Sequence, residues 1–518
     1  MLGLLSLLAA FVSQVPAAPR KAAGEGLFTD GKIRTFKITV DEPGLVLLNK
    51  DDRGYVRATV AEGTNVLRDV GMHLKGMGSF RPFREKASFA LKFDKYAPEQ
   101  SYLGLTKFML NNSSQDPTFL AEMLATQMFR EAGVPAARVT HAFVEINGRQ
   151  LGLYVLIEAM NKEFLKLHFK NTRGNLYEAY LQDIDQKLDQ DGGGDNTQAD
   201  LKKLLEVAKL PVPLERWDRL PEVFDVDRYL SHLAVEMFTS HTDGYAMNRN
   251  NYRLYHDPSS GRFVMIAHGI DWAFSNTGVP IQPPRNSILT KAVLETPAGR
   301  KQYKQRVALL FTNVFNLEVQ TNRVNLAVAR LKAAARNPGE AKEFENYGSE
   351  MHNRLVARHK NIVAQLAAPE PQPIKFDALD IALLTGWQSK KDKGEPVFDQ
   401  PKLGDKGTLH VRADKGDIMG SWRAAVLLDA GKYRFEGRAM VTNVVALTNE
   451  VKLANGAGLR ISGGKRAAPL TGSTGWTALE HEFEVMEGGE DKTFVCELRA
   501  MQGEVWFDTA SLRLVRIK

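Results

Sequence analysis

One short stretch, APEPQP at residues 368–373, does most to limit what this chain can become. Proline lacks a backbone N–H and holds φ near about −65°, so alternating prolines end both helix and sheet ladder. The patterning differs on the two sides. Before the segment, hydrophobic periods of two and of 3.6 residues alternate; after it, period two prevails. A chain of 518 residues is also too long for a single core. Two folded regions joined by a Pro-rich linker are therefore expected, at residues 27–367 and 375–518, with 368–374 between them.

Residues 1–26 read MLGLLSLLAAFVSQVPAAPRKAAGEG, a short apolar run ending in small residues around Ala17 and Ala18. This is the composition of an export signal, assigned to residues 1–18, and it is too short for a membrane span. A secreted, periplasmic or cell-surface protein that is not integral to a membrane is the expectation. Cys496 is the single cysteine, so no internal disulfide can form, and its strand-like neighbours TFVCELRA suggest a buried thiol. The net charge of +7 is spread without a Lys/Arg tract, which argues against nucleic acid as a partner.

Within 27–95, the segments FKITV, YVRATV, DVGMHLKG and KASFALKFD alternate as half-buried strands do. A helix is expected from Asp116-Pro117, with apolar spacing at Leu120, Met123, Leu124 and Met128 and a stop at Gly133. Asn147-Gly148 predicts a hairpin between two further strands. Beyond residue 160 the pattern turns helical, with a well-patterned helix over 225–241 and longer ones near 297–336 and 340–367. DQDGGGD, at 189–195, reads as a mobile acidic loop. After the linker, short strands at regular spacing predict a β-sandwich.

The segment HTDGYAMNRNNYRLYHDPSSGRFVMIAHGIDWAF, residues 241–274, sets Asp243 and Asn251 before one strand and Asp271 after the next. Carboxylate and carboxamide oxygens at strand ends suit a hard cation, which commonly brings a phosphate with it. Other residues fit phosphoryl transfer, where catalysis is mostly positioning and charge neutralisation. Gly76 and Gly78 would let backbone N–H groups approach phosphates. Lys86 could pair with phosphates and Glu122 could orient it; the order of elements resembles that of a protein kinase, which implies that Glu158 ends the strand passing between lobes, where backbone groups would meet adenine. Each residue has a plainer reading as a solvated lysine, an exposed helix residue or a turn former. Asp271 is the hardest to set aside, since Ile270 and Trp272 flank it and an unpaired carboxylate among apolar groups is costly. His241 and His268 read as structural residues.

Residues of about 30–365 resemble the CotH kinase family, atypical secreted kinases named for spore-coat protein H. The carrying stretches are DVGMHLKGMGSFRPFREKASFALKF, LNNSSQDPTFLAEMLATQMFREAGVPAARV, VEINGRQLGLYVLIE, GNLYEA, NNYRLYHD and IDWAF. The resemblance implies an α+β, kinase-like bilobal domain that uses ATP and Mg2+ or Mn2+ to phosphorylate Ser/Thr of an exported or surface protein. It matches Asp271 to a metal-binding Asp, Asp243 to the essential Asp ahead of the strand, Asn251 to that strand's Asn, and Lys86 to a strand lysine. Gly269 stands where the family has Trp, HTD where ordinary kinases have HRD, and IDW for DFG, which keeps a pseudokinase scaffold or a nucleotidyl transferase as alternatives. Residues 375–518 resemble a galactose-binding-like jelly roll of the carbohydrate-binding-module type, implying a polysaccharide or cell-surface glycan as partner, and calcium as such sandwiches often carry. Trp387, Trp422, Trp476 and Trp506 are the candidate stacking faces, with Trp506 in VWFD the most core-like.

Overall fold

The computed structural model describes residues 21–517 except 52, 195, 370–371, 448–454, 463–467 and 486–489; the expected export signal at 1–18 lies outside the described residues. The chain divides into two compact units, one of residues up to Leu294 with Lys301–Ala367, the other of Glu295–Arg300 with Ala368–Lys518. The fold class is α+β.

The first unit opens with helix α1 (Glu25–Thr29), strand β1 (Arg34–Val40) and helix α2 (Glu42–Asn49). Strands β2 (Val56–Glu62), β3 (Asn65–Lys75), β4 (Ser88–Lys92) and β5 (Lys107–Asn111) follow, then helix α3 (Ala121–Glu131), β6 (Val139–Ile146) and β7 (Arg149–Glu158). These strands close into a barrel in the order β1-β2-β3-β4-β5-β7-β6. Closure depends on the hairpin that Asn147-Gly148 predicts. Both residues take positive φ, and the Asn147 side chain bonds the N–H and the carbonyl of Val40 at 2.8 Å each. That clamp joins the β6–β7 turn to β1, which runs parallel to β6. The barrel is filled by Phe36, Phe89, Phe93, Phe108 and Tyr154 among others, so the alternating strands bury one face as their pattern requires.

The sequence-based start of α3 needs correction. Residues 112–120 form a turn, and the buried Asp116 carboxylate caps the helix by accepting from Ala121 N–H at 2.9 Å. After β7 come α4 (Lys162–His168), β8 (Leu176–Ala179), β9 (Asp189–Gly192), α5 (Ala199–Ala208), α6 (Pro213–Val223), α7 (Val226–Phe238) and the short α8 (Tyr245–Asn248). The acidic 189–195 segment is thus partly a strand, because β9 pairs with β8. Strands β10 (Tyr252–Asp257) and β11 (Arg262–Ala267) complete a four-stranded sheet in the order β11-β10-β8-β9. Helices α9 (Ile288–Leu294), α10 (Pro297–Asn313), α11 (Leu317–Ala333) and α12 (Pro338–Ala367) end this part. The single helix expected over 297–336 is two, since Asn316 turns extended and its side chain caps Val319.

The second unit holds β12 (Ile381–Leu383), β13 (Gln388–Lys393), β14 (Val397–Asp399), β15 (Lys402–Leu403), β16 (Lys406–Ala413), β17 (Ile418–Leu428), β18 (Gly431–Ala446), β19 (Gly456–Ile461), β20 (Gly472–Val485), β21 (Glu490–Asp508) and β22 (Arg513–Ile517). All their pairings are antiparallel. TFVCELRA and GEVWFD, which read as two strands, are one long strand that serves two neighbourhoods. Its first half pairs with β17 and β19, its second with β16 and β18. The change comes at Gly503, where φ is +108° and a Cβ would lie 2.5 Å from the Asn443 carbonyl oxygen. Cys496 is buried in β21, as its neighbours suggested.

Candidate functional site

The opening of the site is the β10–β11 hairpin. Asp257 begins its turn by accepting from Ser259 N–H at 2.9 Å, and Tyr252 faces Ala267 across the ladder. That register carries Asn251 and His268 out of the same end of the hairpin, with Asp271 three residues farther on. Asn251 sits at φ +47°, and a Cβ on Gly269 would lie 2.7 Å from its Oδ1. The absence of a side chain at 269, where the family resemblance has Trp, therefore leaves room for Asn251.

Asp243 is set by the turn after α7. Buried Glu236 accepts from Ala246 N–H at 2.9 Å and passes so close to Gly244 that a Cβ there would lie 2.4 Å from its Oε1. Asp243 then accepts from the side-chain amides of Asn248 at 2.7 Å, Asn250 at 3.1 Å and Asn251 at 2.8 Å. Sequence reasoning singled out Asp243 and Asn251; their direct bond is what the structure adds. From α12, the buried Arg358 guanidinium holds the carbonyls of Met237 and Phe238 at the end of α7 and those of Thr277 and Val279 beyond Asp271. One side chain thereby ties together the two segments that carry Asp243 and Asp271.

Asp271 is half-buried between fully buried Ile270 and Trp272, whose side chain is 45% exposed, so only one of the two flanks is apolar interior. Burial pushes its carboxyl above the ordinary range, while Lys75 acts against the shift. Glu122, buried at the start of α3, is pushed up to about 8 by burial and by Asp271, with Lys75 again opposing. The lysine these carboxylates share is Lys75, the last residue of β3. Burial lowers its ammonium, and Glu122, Asp271 and Glu178 offset that loss. Lys75 also donates to Asn111 Oδ1, and Asn111 reaches Glu122 at 3.4 Å.

Lys86 takes no part in this group. It precedes β4 by two residues, and its ammonium lies 4.7 Å from the Phe119 ring centroid and 5.2 Å from that of Tyr154, a cation–π setting. Glu158 is also elsewhere. Its fully buried carboxylate is bonded to Arg138, and its N–H is spent on the Arg138 carbonyl at 2.9 Å. Gly76 follows Lys75 at φ +103° and starts the β3–β4 turn, while a Cβ on Gly78 would make an ordinary contact with Gln115 Nε2 at 3.7 Å.

The site includes residues that sequence reasoning passed over. Glu178, within GNLYEA on β8, meets His268 Nε2 at 3.2 Å and Arg253 on the neighbouring strand. Burial alone would raise its carboxyl; those two partners outweigh burial and hold it well below the usual range. Arg253 reaches on to Asp191 of β9 at 2.7 Å. A signal for Lys75 was present, since it closes the strand pattern immediately before Gly76. Nothing in local spacing signals Glu178, whose role depends on β8 lying beside β10. Among the described residues, no three His, Cys, Asp or Glu side chains converge as a ready-made metal cage.

In the second unit Trp422 is the core tryptophan, its Nε1 donating to the His410 carbonyl at 3.0 Å. Trp506, read as the most core-like, is instead half-buried and stacks on His410 at 4.6 Å between ring centroids. Trp387 and Trp476 are likewise only partly covered.

Among known proteins, inner spore coat protein H of Bacillus subtilis (strain 168) is 23% identical over 306 residues, 54% of this chain and 82% of that protein. Invasin CotH2 of Rhizopus delemar is 20% identical over 255 residues, 42% of each. Among solved structures, the Helicobacter pylori proinflammatory kinase CtkA covers 56% of this chain and 93% of its own at 8% identity and a TM-score of 0.28. TmCBM61, solved with β-1,4-galactotriose, covers 26% of this chain and 91% of its own at 19% identity and a TM-score of 0.18. The family model described as CotH kinase protein matches residues 72–360, more than half of the chain. The chain belongs to the CotH kinase protein family.

Proposed function

We propose that this protein is an exported atypical kinase that transfers the γ-phosphate of ATP to a Ser/Thr hydroxyl of a secreted or surface protein, and that its β-sandwich docks glycan or a protein partner. The observation that carries the reading is the bridge from Lys75 of the barrel strand through Asn111 to Glu122 of α3, at 3.4 Å on its second leg, with Asp271 of the post-hairpin loop near enough to act electrostatically on both. A lysine bridged by an asparagine to a buried glutamate, beside an under-neutralised Asp, suits binding a polyanion with its metal.

In this reading Lys75 contacts phosphate oxygens and Glu122 holds it in place; Gly76 and Gly78 let the following turn come close. The Glu158 N–H is bonded to the Arg138 carbonyl, so in this reading adenine would be met by other backbone groups than that one. Asp271 and Asn251 are the residues that would hold Mg2+ or Mn2+. The donor set fits: Asp271 lacks full charge compensation, and Asn251 spends its Nδ2 on Asp243, leaving Oδ1 as an acceptor. A magnesium ion needs only one or two protein oxygens when phosphates and water complete its shell. Such an ion supplies neutralisation of phosphate charge. Asp243 orients the acceptor hydroxyl and takes its proton as the new O–P bond forms and the bond from Pγ to the β-phosphate oxygen breaks, releasing ADP. Export fits the spore-coat and invasin names of the relatives, and no described helix is long and apolar enough to cross a membrane. The partly covered faces of Trp476 and Trp506 suit sugar stacking.

One observation favours a second reading as an inactive scaffold: both Asp243 oxygens are already taken up by asparagine amides. Transfer of labelled γ-phosphate with Mn2+ or Mg2+, by wild type and Asp271→Ala with a casein-like acceptor, separates the two. Label with wild type alone supports the kinase. No label from either, with no ATP-induced thermal shift, supports the scaffold.

A further inference from the structure

We infer that a groove on the outer side of α3 binds a free amphiphilic carboxylate, with its acid group on Arg330 and its hydrocarbon tail between Met123 and Leu326. The groove has a volume of about 580 Å³ and is walled by Met123 and Gln127 of α3 and by Arg323, Leu326, Arg330 and Ala333 of α11. Pockets of that size take small molecules. The α3 wall is a single helical turn, too short to seat the successive anchors of a docked amphipathic helix.

The charge in the groove is poorly compensated. Arg323 is paired with Glu131 and its Nη1 is enclosed, which leaves Arg330 as the accessible cation of the groove. Arg330 is half-buried, its Nε donates weakly to the Leu326 carbonyl at 3.3 Å, and burial lowers its guanidinium with no carboxylate acting against that shift. A half-buried guanidinium with one weak bond has donors to spare, and an incoming carboxylate makes charge-assisted bonds with them. Leu326 is 56% exposed and offers the apolar contact a tail needs. Acid head and apolar tail are both required, which excludes simple anions and simple alkanes. The inference stands apart from the phosphoryl-transfer reading, since it uses neither ATP nor the residues assigned to it.

The test is calorimetric titration of the full chain with decanoate and with decanol, both below their aggregation concentrations, for wild type, Arg330→Gln and Leu326→Glu. Saturable one-to-one binding of decanoate is expected, with decanol and Arg330→Gln each weaker by roughly tenfold or more. Leu326→Glu, at an exposed position where folding is not at stake, should abolish it. Equal binding of decanoate and decanol, equal binding by all three proteins, or no binding of decanoate overturns the inference. So does binding of an acidic amphipathic helical peptide in its place.

Discussion

The two lysines near the β3–β4 turn illustrate how little residue type says without its surroundings. Lys75 bonds Asn111 within the field of three carboxylates and Lys86 lies over two rings, so their removal should have different outcomes. Lys75→Met should lower phosphate transfer by about 10²-fold or more, the scale of losing one charged group that stabilises a transition state. Lys86→Met should leave transfer within about threefold, because methionine keeps contact with Phe119 and Tyr154. Initial rates of labelled transfer for the two variants check both; equal losses would remove Lys75 from its role. Lys86 looked the better candidate in sequence because it stands in a strand-like run, whereas the orientation of Lys75 depends on barrel closure. The closeness of Asp243 and Asn251 was legible because both lie just before one hairpin strand, and they bond directly at 2.8 Å. Glu178 was not, since its partners Arg253 and His268 are more than seventy positions away.

At the level of elements, α7 and the loop beyond Asp271 are joined by the buried Arg358 guanidinium. Arg358→Met would leave several buried carbonyls without donors and should cost about 3 kcal/mol or more. A fall of the order of 3–5 °C in the melting temperature of the first unit is expected by calorimetry. Gly503→Ala tests the bend of β21, where positive φ and the 2.5 Å approach to Asn443 leave no room for a methyl group. It should destabilise the second unit by about 2 kcal/mol or more while leaving the first unit's transition in place. Most of these elements were visible as patterns of period two or 3.6. Their ends were less so: α3 starts after a turn capped by Asp116, and β21 reads as two strands because its glycine interrupts the alternation.

For the molecule as a whole, acid should weaken the fold through buried histidine. His141 is enclosed behind the barrel with Nε2 donating to the Phe119 carbonyl at 2.7 Å, and burial lowers its imidazolium to about 4. The unfolded chain takes the proton near the ordinary 6.5, so this contribution is complete above that pH and is lost as pH falls toward 4. The loss should grow by about 1.4 kcal/mol per pH unit across that window. Melting curves between pH 7 and 4 should show it, and His141→Gln should flatten the dependence. The sequence by itself determined that there are two regions, most of the strands and helices they contain, and the hairpin segment proposed to carry the chemistry, because hydrophobic period and turn residues act locally. Only the tertiary structure decided that Lys75 rather than Lys86 lies in the field of the carboxylates, that Glu178 pairs with Arg253 and His268, and that Trp422 rather than Trp506 is the core tryptophan. Which face of a strand is enclosed, and which distant strand lies beside it, follows from barrel closure and sheet order, and these depend on contacts between residues far apart along the chain.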